Sequence, residues 1–286
     1  MDRQRYGGQL MNARMPDAAI VLSAMGAHSQ VPADVHVFDK LDSTSAWLGE
    51  QRHTLHAKLE QGRAQLCLTD WQQAGVGRRG KSWQTQPGNV TFSVLARTNQ
   101  PAQSLMGLSL ITGLAVAEVL ADVFGVKAML KWPNDVIFQD RKLGGLLTEV
   151  MSVPEQKSSP AVTDVITGIG INVEHDDTVL GLGIGATSLR GAGIELMSSE
   201  RDALVGRIAA AVLASHDRFL SEGWTAFASQ WSDHDWLMGK EVQIHREHST
   251  EDAVACGVNQ HGALLVKSAG KILPLYGGNV SIRPKT

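Results

Sequence analysis

Short apolar runs bounded by polar turn residues recur through the first 237 residues of this 286-residue chain. Such runs predict strands, here at residues 35–38, 64–69, 90–95, 127–132, 136–138, 143–150 and 165–173. Longer segments with apolar residues at helical spacing predict helices, here at 42–61, 101–124, 202–220 and 224–231. Because few long helices separate many strands, the pattern indicates an α+β fold with a mixed central sheet.

The pattern changes beyond Gly239, where short strands are predicted at 242–245, 253–258, 263–267, 271–275 and 280–283. Turn residues separate these strands, and such a series predicts a small β-barrel. We therefore divide the chain into an N-terminal extension with one short helix (1–33), a main domain (34–237) and a C-terminal barrel (238–286).

The glycine-rich segment 75–82, with the sequence Gly-Val-Gly-Arg-Arg-Gly-Lys-Ser, matches the G-x-x-x-x-G-K-[ST] and G-x-G-x-x-G patterns at once. Both patterns require a helix to begin there, so that its N–H groups face a phosphate. Here turn residues and a strand follow instead, and residues 96–106 contain no acidic side chain. The segment is therefore predicted to be a loop between strands. It either binds an anion through its N–H groups, Arg78 and Arg79, or is a solvated basic hairpin.

Two further segments place cations beside turn residues. In Lys-Trp-Pro-Asn-Asp at 131–135, Lys131 could contact a phosphate and Asp135 a hard cation such as Mg²⁺; an ordinary turn with a buried tryptophan is the alternative. Lys142 precedes Gly144 and Gly145, which would let a ligand approach the backbone closely. A surface lysine is the alternative there.

Two polar segments complete the candidate site. The glycine-interrupted strand 168–173 contains Asn172 and is compatible with contact to a flat ligand. Ser43 and Thr44 either cap a helix or bind a polar ligand head. Together these segments indicate a basic, glycine-rich site for an anionic nucleotide, with one carboxylate for Mg²⁺.

Composition restricts the partners and the compartment. The formal net charge of −3 gives no sign of a nucleic-acid partner. Cys67 and Cys256 lie far apart without metal-ligand spacing, as expected of buried thiols in a reducing cytosol. No apolar stretch approaches the roughly 18 residues of a membrane span. The apolar run 18–27 follows Pro16-Asp17, which favours a helix N-terminus over a signal peptide. We expect a cytoplasmic protein.

Four motifs in this order resemble those of the biotin protein ligases (biotin–acetyl-CoA-carboxylase ligases): residues 72–83, 131–135, 141–147 and 168–173. The similarity covers about residues 35–285, because the C-terminal segment also resembles the SH3-like barrel of that family. The resemblance implies a class II synthetase-like catalytic domain followed by this barrel.

The resemblance also implies a two-step reaction. Biotin and ATP, with Mg²⁺, give biotinyl-5′-AMP and pyrophosphate. A lysine of a biotin carboxyl carrier protein, that of acetyl-CoA carboxylase by default, then attacks the acyl-adenylate and releases AMP. A monomer or a weak homodimer is expected.

Site residues follow by motif. The residues implied to contact biotin are Ser43, Thr44, Gln72, Gly77, Arg78, Lys142, Gly144 and Gly145. Those implied to contact ATP or the adenylate are Arg78, Arg79, Trp83, Lys131, Asn134, Lys142 and Asn172, with Asp135 for Mg²⁺. Lys142 and Arg78 are the expected catalytic cations. Val76 and Ser45 depart from the family pattern, which often has arginine and asparagine there.

Three other functions remain to be weighed. A ligase that doubles as a biotin-sensing repressor needs an N-terminal helix-turn-helix of more than about 40 residues, and only 33 precede the first main-domain strand, so no DNA partner is expected. Lipoate ligation is disfavoured by the intact 131–135 and 141–145 motifs. A non-catalytic carrier-binding protein predicts no pyrophosphate release.

Overall fold

The computed structural model describes residues 15–153, 162–174, 185–246, 249–277 and 280–285. The sequence predicts a polar loop at 154–163 and a glycine-rich connection at 181–198. Most of the first segment and part of the second lie outside the described residues.

A mixed seven-stranded sheet forms the centre of the molecule. In chain order its strands are β1 (Ala33–Leu41), β2 (Ala64–Gln72), β5 (Val90–Thr98), β6 (Met129–Lys131), β7 (Asp135–Phe138), β8 (Arg141–Ser152) and β9 (Thr163–Ile171). The spatial order is β1-β2-β5-β9-β8-β7-β6. β1 and β2 pair in parallel and the other neighbours are antiparallel, so the predicted α+β fold with a mixed sheet is confirmed.

Helices cover both faces of this sheet. They are α1 (Ala18–Gly26), α2 (Thr44–Gln51), α3 (His56–Glu60), α4 (Leu108–Phe124), α5 (Ser198–Glu222) and α6 (Ala228–His234). Alternate residues of β2 point to opposite faces: Leu66 and Leu68 join the large core with α4 and α5, and Cys67 joins a smaller core with α2 and α3. The sheet is therefore the middle layer.

Three predicted helices are interrupted. The helix predicted at 224–231 is a 3₁₀ turn, Trp224–Ala226, followed by α6. The helix predicted at 42–61 is α2 and α3, separated by turn residues 52–55. The helix predicted at 101–124 is a 3₁₀ turn, Ala102–Leu105, followed by α4, because Gly107 adopts a left-handed conformation (φ 104°) that interrupts the helix.

The helical stretch Ala102–Phe124 also corrects the expectation about membrane spans. Within the described part of the chain this is the one helical stretch long and apolar enough to cross a membrane, so the expectation that no apolar segment approaches that length was wrong. Most of the stretch is buried, and α4 packs between the sheet and α5, as expected of a core helix.

Helix α1 is integrated into the main core. The Asp17 side chain accepts hydrogen bonds from the N–H groups of Ala19 and Ile20 and caps the helix. Val21 and Met25 are buried in the large core, and α1 packs closely on α5 at Gly206, where a side chain would meet the Val21 carbonyl. The boundary between an extension and a main domain at residue 33 stays a proposal, and α1 packs with the main domain.

The C-terminal strands form a second sheet. They are β10 (Glu241–His245), β11 (Thr250–Val258), β12 (Leu264–Ser268), β13 (Lys271–Leu275) and β14 (Ser281–Pro284), in the antiparallel order β13-β12-β11-β10-β14. This sheet is consistent with the predicted SH3-like barrel. The two short strands β3 (Gly75–Val76) and β4 (Ser82–Trp83) pair as a separate hairpin, which confirms that the glycine-rich segment is a loop between strands.

The buried histidine His216 makes the free energy of unfolding depend on pH. His216 of α5 is buried, its Nε2 lies 2.9 Å from Thr112 Oγ1, and burial lowers the pKa of His216 to about 4. An unfolded histidine has a pKa near 6.5. As the pH falls from about 6.5 to about 4, the unfolded chain therefore takes up a proton that the folded chain does not, and up to ~3 kcal/mol of unfolding free energy is lost.

We predict that His216→Gln removes this part of the pH dependence. Urea unfolding at several pH values should show a shallower slope below pH 6.5 than in the wild type. The exposed His53 supplies the control, because His53→Gln should keep the wild-type slope. Equal slopes in both variants would contradict the assignment to His216.

Candidate active site

A cavity of about 820 Å³ opens between the main sheet, the β3–β4 hairpin, the turn 131–135 and strand β14. Most of the predicted site residues line it: Thr44, Gln72, Gly77, Arg78, Arg79, Trp83, Lys131, Asn134, Asp135, Lys142, Gly145 and Asn172. Segments distant in sequence thus meet at one place.

Two predicted residues do not line the cavity. Ser43 Oγ accepts a hydrogen bond from Ala46 N (3.4 Å) and caps α2. A Cβ on Gly144 would lie 2.6 Å from the Gly170 carbonyl and from Ile171 Cδ1, so this glycine faces the neighbouring strand. Both residues support elements of the site.

One end of the cavity is polar and uncharged. Gln72 Oε1 accepts hydrogen bonds from Thr44 N (2.8 Å) and Thr44 Oγ1 (3.0 Å). Thr44 Oγ1 lies 2.8 Å from Ser93 Oγ, which donates to Ser45 Oγ at 3.5 Å. All four residues are buried. Sequence reasoning missed Ser93, although a hydroxyl residue inside the apolar run 90–95 was the available signal.

Glycines and one tryptophan form the floor. A Cβ on Gly170 would lie 2.6 Å from Trp83 ring atoms, and one on Gly145 would lie 2.9 Å from Trp83 Cζ3. The two glycines therefore allow the indole to lie against the backbone of β8 and β9. Lys142 Nζ stands 5.3 Å from the centre of the indole ring, within the range of a cation–π contact.

Cations form the other end around a single carboxylate. Lys142 Nζ lies 2.5 Å from Asp135 Oδ1, and Lys131 Nζ lies 3.5 Å from Asp135 Oδ2. The three side chains are at most 17% exposed. Burial lowers the pKa of Lys131; Asp135 opposes this shift, while Lys142 and Lys81 add to it. Positive charge is thus concentrated in a partly desolvated space.

Arg78 adds a further cation from the glycine-rich loop. Its Nη1 donates to Asn134 Oδ1 (3.4 Å), and its Nη2 donates to the Gly277 carbonyl of the C-terminal sheet. Burial lowers the pKa of Arg78, an effect that Asp135 opposes. Asn134 is itself held because its Nδ2 donates to the Leu146 carbonyl at 2.7 Å.

Asn172 has a structural role as well as a place at the cavity wall. Its Nδ2 donates to the Thr187 carbonyl at 3.0 Å, and the residue is buried. The amide therefore fixes the segment that follows residue 185. Residues of β14, including Ser281 and Arg283, also line the cavity. The sequence did not predict this, because no residue of the C-terminal barrel was assigned to the site.

Asp135, the predicted Mg²⁺ ligand, has no other acidic side chain beside it among the described residues of the cavity. Across the described residues no group of three or more His, Cys, Asp or Glu side chains could hold a metal ion. Among the described residues that line the cavity, Asp135 is the one acidic side chain, and both of its oxygens face lysines. The metal assignment of Asp135 stays a prediction, and these contacts count against it.

Comparisons with known proteins agree with the site. Residues 39–172 match the biotin/lipoate A/B protein ligase family. The chain is 32% identical over 276 residues to the bifunctional ligase/repressor BirA of Salmonella typhimurium, covering 94% of this chain and 81% of the relative. It is 26% identical over 199 residues to the biotin–[acetyl-CoA-carboxylase] ligase of Paracoccus denitrificans, covering 68% and 80%.

A solved structure gives the same result. The biotin protein ligase of Aquifex aeolicus in complex with biotin and ATP superposes with a TM-score of 0.69 at 26% identity, covering 89% of this chain and 99% of that one. The chain therefore belongs to the biotin/lipoate A/B protein ligase family. Within the family, its relatives place it among the biotin protein ligases.

The two adjacent glycines of β8 provide a test of this geometry. Gly144→Ala should lower the unfolding free energy by about 1–3 kcal/mol, because its methyl group meets backbone and core. Gly145→Ala should keep the stability, because its methyl group meets the movable Trp83 ring, but should weaken biotin binding about tenfold. Urea unfolding and titration calorimetry measure the two effects. The assignment fails if both variants lose the same property.

Proposed function

We propose that this cavity is where the enzyme joins biotin to the α-phosphate of ATP. The chain is an ATP-dependent biotin protein ligase: it forms biotinyl-5′-AMP and pyrophosphate, and transfers biotin to a lysine of a carrier domain of a biotin-dependent carboxylase. The observation that carries the assignment to this cavity is its polarity, with an uncharged polar end and a cationic end.

The uncharged end suits the ureido head of biotin. Its hydroxyl and amide groups, from Thr44, Gln72 and Ser93, can pair with urea N–H and C=O groups. The dithiolane ring of lipoate offers neither, and would leave buried polar groups unpaired, which costs about 1–3 kcal/mol each. This contrast supports biotin over lipoate.

The cationic end suits the first chemical step. A biotin carboxylate oxygen attacks the α-phosphorus of ATP, and the bond to the β-phosphate oxygen breaks as pyrophosphate leaves. Two anions must approach each other, so fixed cations have to offset their repulsion and stabilise charge on the phosphoryl oxygens. We assign this role to Lys142 and Arg78, with Lys131 and Arg79 toward the phosphates.

The remaining predicted residues receive supporting roles. Trp83 and Asn172 border the adenylate, and Gly77 and Gly145 line the path of the biotin chain. Asn134 orients Arg78 through the 3.4 Å contact. Ser43 and Gly144 act indirectly, by capping α2 and by allowing β8 and β9 to pack.

The second step depends on positioning. The amine of the carrier lysine attacks the acyl carbon, the C–O bond to AMP breaks, and the amine loses a proton. Only about one in 10³ unperturbed lysines is neutral at pH 7. Among the described residues that line the cavity there is no histidine, so alignment of amine and anhydride supplies most of the acceleration.

Loss of Lys142 should test the first step directly. Lys142→Ala should lower biotin-dependent ATP–pyrophosphate exchange by about 10²-fold or more, by analogy with loss of an oxyanion donor. Lys58→Ala, which removes an exposed pair with Asp34 (2.8 Å), should exchange at the wild-type rate. Lipoate in place of biotin should give no exchange. Undiminished exchange in Lys142→Ala would exclude the proposed role.

Asp135 separates an electrostatic role from a metal role. Mg²⁺ commonly binds through phosphates, waters and one or two carboxylates, but the described residues offer no ligand set here. Asp135→Asn should lower exchange about tenfold, because Lys131 and Lys142 lose the charge that holds them together. The Mg²⁺ concentration for half-maximal rate should stay unchanged. A large rise in that concentration would instead make Asp135 a metal ligand.

The proposal also covers compartment and assembly: the protein acts in the cytoplasm, as a monomer or a weak homodimer, and as a ligase that does not bind DNA. The relatives named ligase/repressor leave DNA binding as the alternative. Ahead of β1, the described residues form one helix, α1, and it packs against α5. One face of α1, with Val21 and Met25, is buried in the core, and a gel-shift assay with biotinyl-5′-AMP present tests the alternative of DNA binding.

A further inference from the structure

The C-terminal sheet contacts the cationic end of the cavity at several points. At the start of the turn 131–135, Trp236 N, in the connection between the two sheets, donates to the Leu130 carbonyl at 2.9 Å. Leu237 beside it is fully buried. The connection is therefore fixed to the strand that leads into the cationic turn.

The indole of Trp132 makes the second contact. This ring is buried, and its Nε1 donates to the Gly262 carbonyl in the β11–β12 hairpin at 3.0 Å. Gly262 has φ +73°, and a Cβ there would lie 2.9 Å from Gly107 Cα. Only glycine fits this close approach to the start of α4, so the hairpin presents its carbonyl to Trp132 at a fixed position.

Arg78 makes the third contact. Its guanidinium carries up to five N–H donors, is removed from most solvent, and donates to the Gly277 carbonyl as well as to Asn134. Gly277 leaves space for this, since a Cβ would lie 2.8 Å from Arg78 Nη2. The carbonyl thus fixes a side chain that the loop alone would leave free to rotate.

We propose that the C-terminal sheet is a positioning element of the adenylation site, in which the Gly277 carbonyl holds Arg78 and the Gly262 carbonyl holds the Lys131–Asp135 turn through Trp132. The inference rests on the proposed function and adds residues to it. Neither carbonyl needs to touch a substrate, because each one orients the group that does.

This arrangement separates biotin binding from adenylation. The polar end of the cavity comes from α2, β2 and β5 of the main domain, whereas the C-terminal sheet supports only the cationic end, at Arg78 and Trp132. Disturbing either carbonyl contact should therefore slow formation of biotinyl-5′-AMP while biotin still binds.

Gly277→Ala tests the contact with Arg78. The methyl group would collide with the movable end of that side chain and meet Pro133 only at an ordinary 3.7 Å. We expect biotin-dependent ATP–pyrophosphate exchange to fall about tenfold, with the melting temperature unchanged and biotin affinity lowered by a smaller factor. In an Arg78→Ala background the same substitution should have no further effect. Gly26→Ala, where a Cβ meets nothing within 4 Å, is the control.

Trp132→Phe tests the second carbonyl by removing its N–H donor while keeping an aromatic ring. Trp231→Phe is the matched control, because this buried indole lies away from the residues that line the cavity. We expect exchange to fall about tenfold in the first variant, with biotin affinity unchanged, and to stay at the wild-type rate in the second.

The outcomes separate this inference from the proposed function. Wild-type exchange rates in both Gly277→Ala and Trp132→Phe would overturn the inference and leave the proposed function intact. An equal loss from Gly277→Ala with and without Arg78 would also overturn it, because the effect would not pass through that side chain. Absence of biotin-dependent exchange in the wild type would overturn the proposed function itself. If the Trp132→Phe variant does not fold, the comparison of Gly277→Ala with and without Arg78 tests the inference by itself.

Discussion

The gathering of like charges in a partly buried cavity is the constraint on which the site depends. Two unit charges 4 Å apart interact by about 4 kcal/mol at the effective dielectric of a protein surface, so Lys131 and Lys142 would separate without an opposing charge. Asp135 supplies that charge, with one oxygen toward each ammonium. A nucleotide can then enter a site whose cations already converge, and much of the cost of assembling them is met during folding.

The fold meets this constraint by joining elements that could not carry the charges alone. Lys131 and Asp135 end β6 and begin β7, a hydrogen-bonded pair, and Lys142 lies on the adjacent β8. Three neighbouring strands therefore set the spacing of these groups. Arg78 comes from a loop and needs outside support, which Asn134 and Gly277 provide. Strands of the main sheet therefore hold Lys131 and Lys142 at the centre of the cation cluster. Contacts from other segments hold Arg78 at its edge.

Local sequence predicted which segments form strands and helices better than it predicted their boundaries or which side chains face the cavity. Apolar runs located the strands, and the absence of a helix after the glycine-rich loop followed from its turn residues. The break at 52–55 depends on tertiary packing, so spacing did not show it. The opposite directions of Gly144 and Gly145 follow from the alternation of side chains along a strand, but which of the two faces the cavity depends on the packing of β8 in the sheet. Ser93 and the Gly277 carbonyl were missed for a related reason: their roles arise from partners distant along the chain, Thr44 and Arg78, and a backbone carbonyl has no signature in the sequence.

The two ends of the cavity also explain how one site can serve two reactions. In the proposed function the uncharged end binds a part of biotin that does not react, so its hydrogen bonds can be the same before and after adenylation. The cationic end faces groups whose charge changes, as pyrophosphate leaves first and AMP later. Binding energy from the first end can hold the acyl group while the second end exchanges its partners. The main sheet holds the uncharged end and the two lysines, and the proposed support of Arg78 from the C-terminal sheet lets the edge of the cationic end adjust without releasing the biotin head.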